Sequence, residues 1–187
     1  MKFSWLLVLL PALVVGCQKQ AAPAPPAPAT NAATVPNIPG WPATKAQPRL
    51  QVIQLFLNGR MVDAEVALRG LEIMTGMMFR ESMGQDEGML FVLPVAERAS
   101  FYMRNTRVPL QIAYIDPAGT ILELHELKPL NEAPVQSAAT NIQFVLEMNT
   151  DWFTRNNLGT GAVIRTQLGP LPNAFVPASR NGAANQR

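Results

Sequence analysis

The sequence predicts a mainly β fold, a compact antiparallel β-sandwich or barrel with one or two short helices. Short apolar runs with strand-like patterns recur along the middle of the chain, and turn-forming residues separate them at close intervals. Only one stretch has clear helical periodicity. Many short strands combined with a single short helix are typical of a sandwich or barrel.

The first predicted elements are a hairpin and the short helix. Residues 52–57 and 61–66 are apolar runs on either side of Asn58-Gly59, a turn pair that tolerates the positive φ of a tight hairpin. The helical pattern follows on one face and consists of Leu68, Leu71, Met74, Thr75 and Met78. Gly76 weakens the last turn, so the helix should be short.

The centre of the predicted fold is residues 88–116, which contain apolar runs at 89–92, 101–103 and 108–115. A polar break at 104–107 separates the second run from the third. Asp116-Pro117-Ala118-Gly119 then has the residue order of a type I turn. The remaining predicted elements are a strand around Leu122 and Leu124, a strand at 142–148, a helical turn within 151–157 and a last strand at 162–168.

Residues 1–17 have the organisation of a secretion signal. Lys2 supplies positive charge, residues 5–15 are a short apolar core, and Cys17, the only cysteine, follows small or β-branched residues. The apolar run is too short to span a bilayer stably. The segment resembles a bacterial lipobox, in which Cys17 is acylated; the alternative is an ordinary cleaved signal. Gln18 resembles the outer-membrane-directed class if the host is Gram-negative, where Asp at that place retains lipoproteins in the inner membrane.

Residues 18–48 are rich in Pro and Ala and contain almost nothing to bury, so we expect a disordered tether. Residues 169–187 have the same character and predict a disordered tail. The folded domain should therefore occupy residues 49–168. The chain has a formal charge of +2 without a run of Lys and Arg, which argues against a nucleic-acid partner.

Several linked motifs run through the predicted domain in a fixed order. They are GMMFR at 76–80, GMLF at 88–91, FYMRNTRVPLQIAYI at 101–115, FVLEM at 144–148 and NLG with a further glycine at 157–161. Together they resemble the domain-of-unknown-function 192 family of mostly prokaryotic, often exported proteins. The resemblance implies a mainly antiparallel β-sandwich of jelly-roll type with a short helix, and it brings no established reaction.

Two positions depart from the family pattern. Gln111 stands where the family usually has Asp, and Ala162 stands where it often has an acidic residue. If those carboxylates serve chemistry or metal binding in other members, this chain has lost that role.

No cofactor, metal or nucleophile motif is present, and we predict no catalytic residue, no cofactor and no metal site. With Cys17 lipidated, the folded part would have no thiol for a disulfide, a metal or a nucleophile. Six methionines cluster between Met74 and Met103, and thioethers suit Cu(I). Their spacing among Leu, Phe and Val is more typical of core packing.

The candidate ligand-binding residues are Arg80, Arg104, Asn105, Thr106 and Glu147. Glu147 lies in an apolar strand and is the carboxylate most expected to be buried with a cation, for which Arg80 and Arg104 are available. Asn105 and Thr106 either close a turn through local hydrogen bonds or help to form a polar recess. In a recess, the arginines would contact an anionic or sugar-like ligand.

Two hypotheses for the function follow from the sequence. The first is a lipid-anchored envelope protein whose domain is a non-catalytic module that binds a small anionic ligand, cell-wall glycan or another envelope protein. The second is a hydrolase-like envelope enzyme that uses Glu147, Arg80 and Asn105. The scarcity of nucleophile and base pairs favours the first.

Overall fold

The computed structural model describes residues 40–175 of the 187-residue chain. The predicted signal, Cys17, most of the tether and residues 176–187 lie outside this range. Within it, no helix is both long enough and apolar enough to cross a membrane.

The described part of the chain contains ten strands, two short α-helices and one 3-10 helix. In chain order these are β1 (Val52–Leu57), β2 (Arg60–Ala67), α1 (Gly70–Thr75), β3 (Glu87–Glu97), β4 (Ser100–Phe101), β5 (Leu110–Ile115), β6 (Ile121–Leu127), β7 (Val135–Gln136), β8 (Ile142–Asn149), α2 (Trp152–Arg155), β9 (Arg165–Thr166), β10 (Gly169–Pro170) and the 3-10 helix (Leu171–Phe175).

Eight strands form one sheet in the order β10-β9-β1-β2-β3-β8-β5-β6, and β4 pairs with β7 separately. The paired strands are antiparallel except β2 and β3, which are parallel. A parallel pair needs a crossover between its strands, and α1 lies in that connection. An isolated bridge between Thr120 and Val163 brings the two ends of the sheet together without a continuous ladder among the described residues. The mainly β, sandwich-like fold class is thus confirmed, with a mixed sheet and no closed barrel.

Local turn chemistry forms as the sequence predicts. Asn58 and Gly59 have φ of 47° and 82°, and Phe56 pairs with Met61 across the hairpin. The Asp116 carbonyl accepts the Gly119 N–H at 3.0 Å, which closes the second predicted turn. Helix α1 ends where Gly76 adopts a φ of 46°.

Strand β8 lies between β3 and β5 in the middle of the sheet, and both of its faces are buried. Alternation along a strand sends successive side chains to opposite faces. Phe144, Leu146 and Met148 belong to one core cluster, which the 3-10 helix and α2 complete. Val145 belongs to the second cluster, on the opposite face.

The ordered domain extends past both predicted boundaries. On the N-terminal side, the Gln47 side-chain amide donates to the carbonyl oxygens of Glu72 and Gly76 at 3.2 and 2.9 Å. On the C-terminal side, Leu171 is fully buried in the first core cluster. The ring of Phe175 lies 5.7 Å from that of Phe144. Residues 169–175 therefore belong to the domain, because two apolar side chains anchor a segment whose Pro and Gly content suggests a tail.

We predict that Leu171→Ala lowers the free energy of unfolding by about 2 to 4 kcal/mol, because it leaves a cavity in the core. Leu168→Ala is the matched control, since Leu168 is 68% exposed. It should change the free energy of unfolding by less than about 0.5 kcal/mol. Equilibrium denaturation of the full chain measures both, and equal effects would contradict the docking of residue 171.

Candidate functional site

Glu147 lies in the buried interior of the domain. Its ladder partners are Met89 on β3 and Ile112 on β5. Side chains directly opposite each other in a sheet share a face, and both of these neighbours are fully buried. Glu147 itself is only 4% exposed, so its carboxyl group stands between two apolar side chains.

No cation pairs with this carboxyl group in the described part of the chain. The Arg80 guanidinium instead bonds Glu65, with Nη2 and Oε2 2.8 Å apart. Glu65 pairs with Met89 across β2 and β3, so Met89 stands between the two carboxylates. The predicted pairing of Arg80 with Glu147 is wrong, because Glu65 occupies the position next to Arg80.

Burial without a partner raises the pKa of Glu147 from its ordinary 4.5 to about 8. The carboxyl group is therefore mostly protonated at neutral pH. Burial also raises the pKa of the Tyr114 hydroxyl, and the negative charges of Glu147 and Glu123 add to that effect. The Tyr114 hydroxyl donates to the Val135 carbonyl at 2.5 Å, so it has its own partner and is not directed at Glu147.

Glu147 lines a cavity of about 310 Å³. The end of α1 and the turn after it form one wall, and β3 with residues 97–102 forms the others. The apolar part of the lining includes Ile73, Met74, Met77, Met78, Phe91 and Phe101. The polar part consists of Thr75, Glu97, Arg98, Ser100, Thr106 and Glu147, with the hydroxyl of Tyr102. A largely apolar cavity with a few polar groups has the character of a small-molecule site.

The backbone at Gly76 sets the shape of one wall. A Cβ at this position would lie 3.3 Å from two ring atoms of Phe91, and φ is positive. Glycine allows α1 to end here while the chain passes close to that ring. Met77 and Met78 then follow directly into the cavity lining.

The only cation in the cavity lining is Arg98. This side chain is exposed, and its Nη1 donates to the Ser137 carbonyl at 2.6 Å. Glu97, also exposed, stands beside it in the sequence. The mouth of the cavity therefore carries one charge of each sign, while Glu147 is the one ionisable group in the buried part of the lining.

The polar break forms a turn beside the cavity, and of its residues only Thr106 lines the cavity. The Thr106 N–H donates to the Met103 carbonyl at 3.1 Å, and Asn105 has a φ of 55°, which asparagine tolerates. Arg104 binds Glu132 through Nε and Nη2, at 3.0 and 2.8 Å. The turn predicted for Asn105 and Thr106 is present: the Thr106 hydroxyl donates to the Arg104 carbonyl at 3.3 Å, and Asn105 contributes its left-handed backbone.

Of the five candidate residues, only Thr106 and Glu147 line the cavity. Arg80 lines a separate recess of about 110 Å³ together with Glu65, Arg49 and Glu87. Arg49 lies 3.8 Å from Glu65 and 3.5 Å from Glu87, so the charged side chains that line this recess pair with one another. The Nε of Arg80 is buried there without a hydrogen-bond partner in the described residues.

Two features of the site were not recognised in the sequence. Glu65 lies within an apolar segment of β2 and is only 8% exposed. In the sequence it has the position of an outward-facing residue in an alternating strand, so its burial was not predicted. The methionines Met77, Met89 and Met103 belong to the second core cluster, as expected for packing. Met77 also lines the cavity, a double role that spacing does not reveal.

Gln111 has a structural task. Its side-chain oxygen accepts the N–H of Phe153 at 3.0 Å, at the start of α2. Asp151, which precedes that helix, makes no side-chain cap bond of its own. Gln111 therefore supplies the side-chain acceptor at the start of α2 in this chain.

We predict that Glu147→Gln stabilises the protein at neutral pH and not at pH 4. Below pH 4.5 the carboxyl group is protonated in both states; between 4.5 and about 8 the unfolded chain loses this proton while the folded chain keeps it. The wild type should therefore lose about 3 kcal/mol of unfolding free energy by pH 7 from this group, and the variant should not.

Denaturant unfolding of wild type and variant at pH 4 and pH 7 measures the difference. Glu132→Gln is the control, because that carboxyl group lies at the surface with its side chain 57% exposed. A stability gap between wild type and Glu147→Gln that does not change with pH would contradict the raised pKa.

Two solved structures resemble the described domain. One is the crystal structure of a "putative transcription regulator" from Sinorhizobium meliloti 1021, with 27% identity and a TM-score of 0.61, covering 64% of this chain and 97% of that one. The other is a protein of unknown function from Novosphingobium aromaticivorans DSM 12444, with 28% identity and a TM-score of 0.59, covering 62% of this chain and 86% of that one. No curated protein matches the chain.

The sequence also matches a family model over residues 53–166, which begins in β1 and ends in β9. The matched segment includes β8 with Glu147 and the cavity walls. Because it spans more than half of the chain, the protein belongs to the domain-of-unknown-function 192 family, described as an uncharacterized ACR.

Proposed function

We propose that this protein is a lipid-anchored envelope protein whose domain binds a small ligand, without transforming it, in the cavity over Glu147. The observation that carries the proposal is a buried carboxyl group in the cavity lining that has no hydrogen-bond or ion-pair partner among the described residues. A polar group buried without a hydrogen bond destabilises the fold. A ligand that supplies the missing partner would gain that interaction on binding.

The anchor is proposed from the sequence. Residues 5–15 have the length of a signal core, and Cys17 is positioned for acylation. Residues 18–39 would then join the lipid to the domain and hold it away from the membrane surface. Gln18 favours the outer membrane if the host is Gram-negative. Glycan or another envelope protein would be within reach of a domain held in this way.

An anion is a weaker candidate for this cavity than the sequence suggested. Arg80 and Arg104, the cations expected to bind it, are each bonded to a carboxylate. Thr106 contributes only a hydroxyl. An anion inside the cavity would face Glu147 with no cation at that depth.

A hydrolase-like enzyme is the second proposed function, and one observation favours it. A carboxyl group with a pKa of about 8 in a cavity has the properties of a general acid or base. Arg80 and Asn105, its expected helpers, do not line the cavity. Hydrolysis also needs a second group to activate water or attack the substrate, and the lining offers only hydroxyls and the charged pair at the mouth.

The ligand site is tested by filling the cavity. Met74 lines it and Leu71, one turn earlier on α1, does not. We expect Met74→Trp to weaken binding of 2-phenylethanol, an apolar probe with one hydroxyl, at least tenfold. Leu71→Trp, which adds the same side chain outside the cavity, should leave its Kd within twofold. Isothermal titration of the full chain measures both. If Met74→Trp binds the probe as tightly as Leu71→Trp does, the cavity is not the binding site.

The anchor is tested by Cys17→Ser. We expect this variant to leave the membrane fraction, because it removes the one cysteine of the sequence that could be acylated. Fractionation after a high-salt wash, with metabolic labelling by a fatty acid, provides the measurement. A variant that stays with membranes, or a wild type that takes up no label, would support an ordinary cleaved signal.

A further inference from the structure

The charges around the cavity determine which ligands it suits. On the strands beside Glu147 the facing residues are Met89 and Ile112, both apolar. One strand further out in each direction lie Glu65 and His125. Glu65 is bonded to Arg80 at 2.8 Å, and His125 Nε2 lies 3.0 Å from Glu123. Both outer groups therefore already have partners, and Glu147 does not.

The other groups near Glu147 add no positive charge. Tyr114, one row along β5, bonds the Val135 carbonyl. Thr75 and Thr106 are neutral. At the mouth, Glu97 offsets the charge of Arg98, and Arg98 is bonded to Ser137. When Glu147 is ionised, the interior of the cavity is thus negative with nothing to balance it.

The apolar walls add a second preference. Phe91 and Phe101 both line the cavity, and their rings meet edge to face with centroids 5.0 Å apart. Tyr102 also lines this space, but its ring already has the Arg104 guanidinium 5.2 Å from its centroid. Aromatic faces attract cations through their quadrupole, most strongly where water is excluded. The same rings, with Ile73 and Met77, can cover a hydrocarbon body.

We infer that the cavity takes an organic cation, a primary ammonium group on an apolar body, which pairs with Glu147 and displaces its proton. This inference rests on the proposed function and names the ligand class for the same cavity. The three classes compare as follows in the buried part of the lining: an anion finds no donor with a positive charge, a neutral alcohol gains one hydrogen bond, and an ammonium gains a charged one.

The proton balance makes the inference specific. The ammonium enters with its three protons, Glu147 changes from carboxyl to carboxylate, and one proton leaves to solvent. Because burial raises the pKa of Glu147 to about 8, most of the free protein carries this proton at pH 7, and binding of the ammonium should release it.

The experiment compares three probes of similar size on the full chain by isothermal titration: 2-phenylethylamine, 2-phenylethanol and phenylacetate. Titrations at pH 7 in two buffers with different ionisation enthalpies count the protons released. We expect the amine to bind at least tenfold more tightly than the alcohol and to release most of one proton at pH 7. Its affinity should rise about tenfold per pH unit up to about pH 8 and then level off. Phenylacetate should bind most weakly.

Glu147→Gln is the matched variant, because it keeps the shape of the side chain and removes its charge. It should lose at least tenfold in amine affinity and lose the proton release. Proton release by the wild type is an independent readout that needs no variant to fold.

The possible failures are distinguishable. If the alcohol binds and Met74→Trp abolishes that binding, while the amine binds no more tightly and releases no proton, the ligand class is overturned and the binding cavity stands. If no probe binds in a manner sensitive to Met74→Trp, both the cavity and the ligand class are overturned. Tighter binding of phenylacetate than of the amine would also reject the inference.

Discussion

The central position of β8 is the constraint on which the rest of this structure depends. This strand pairs with β3 on one side and β5 on the other, and side chains cover both of its faces. Any residue at the middle of β8 is therefore removed from water, whatever its chemistry. Glu147 is buried because of this strand order and not because a local partner attracts it. A carboxyl group without a partner at that place keeps its proton at neutral pH instead of ionising.

A buried carboxyl group without a partner works against the fold, since ionisation favours the unfolded chain above pH 4.5. Gln at this position would have the same shape without that disadvantage. A local conflict of this kind, set in a well-packed sheet and facing a cavity, is typical of a site maintained for function. Phe144 and Leu146, on the same strand, show no such conflict, because they pack among apolar residues.

The sequence predicted features that neighbouring residues determine, and it did not predict features that depend on contacts between distant segments. The Asn58-Gly59 hairpin and the Asp116 turn follow from local residue chemistry, and both formed as expected. The parallel pairing of β2 with β3 and the docking of Leu171 depend on contacts between distant segments, which the sequence pattern does not specify. The same distinction applies to the site. The burial of Glu147 could be predicted from its apolar neighbours in the sequence, whereas the partner of Arg80 could not be predicted without the strand order.

The strand order also explains why two glutamates on one face have different roles. Glu65 and Glu147 lie in one row of the sheet, with Met89 between them. Glu65 receives the Arg80 guanidinium and the Leu50 N–H, each at 2.8 Å. Strands stand about 4.8 Å apart, so the backbones of Glu65 and Glu147 are roughly 10 Å from each other. Because Arg80 is held on the outer carboxylate, the inner one has no cation of its own in the described domain. The described domain therefore supplies no cation that would favour the ionised form of Glu147.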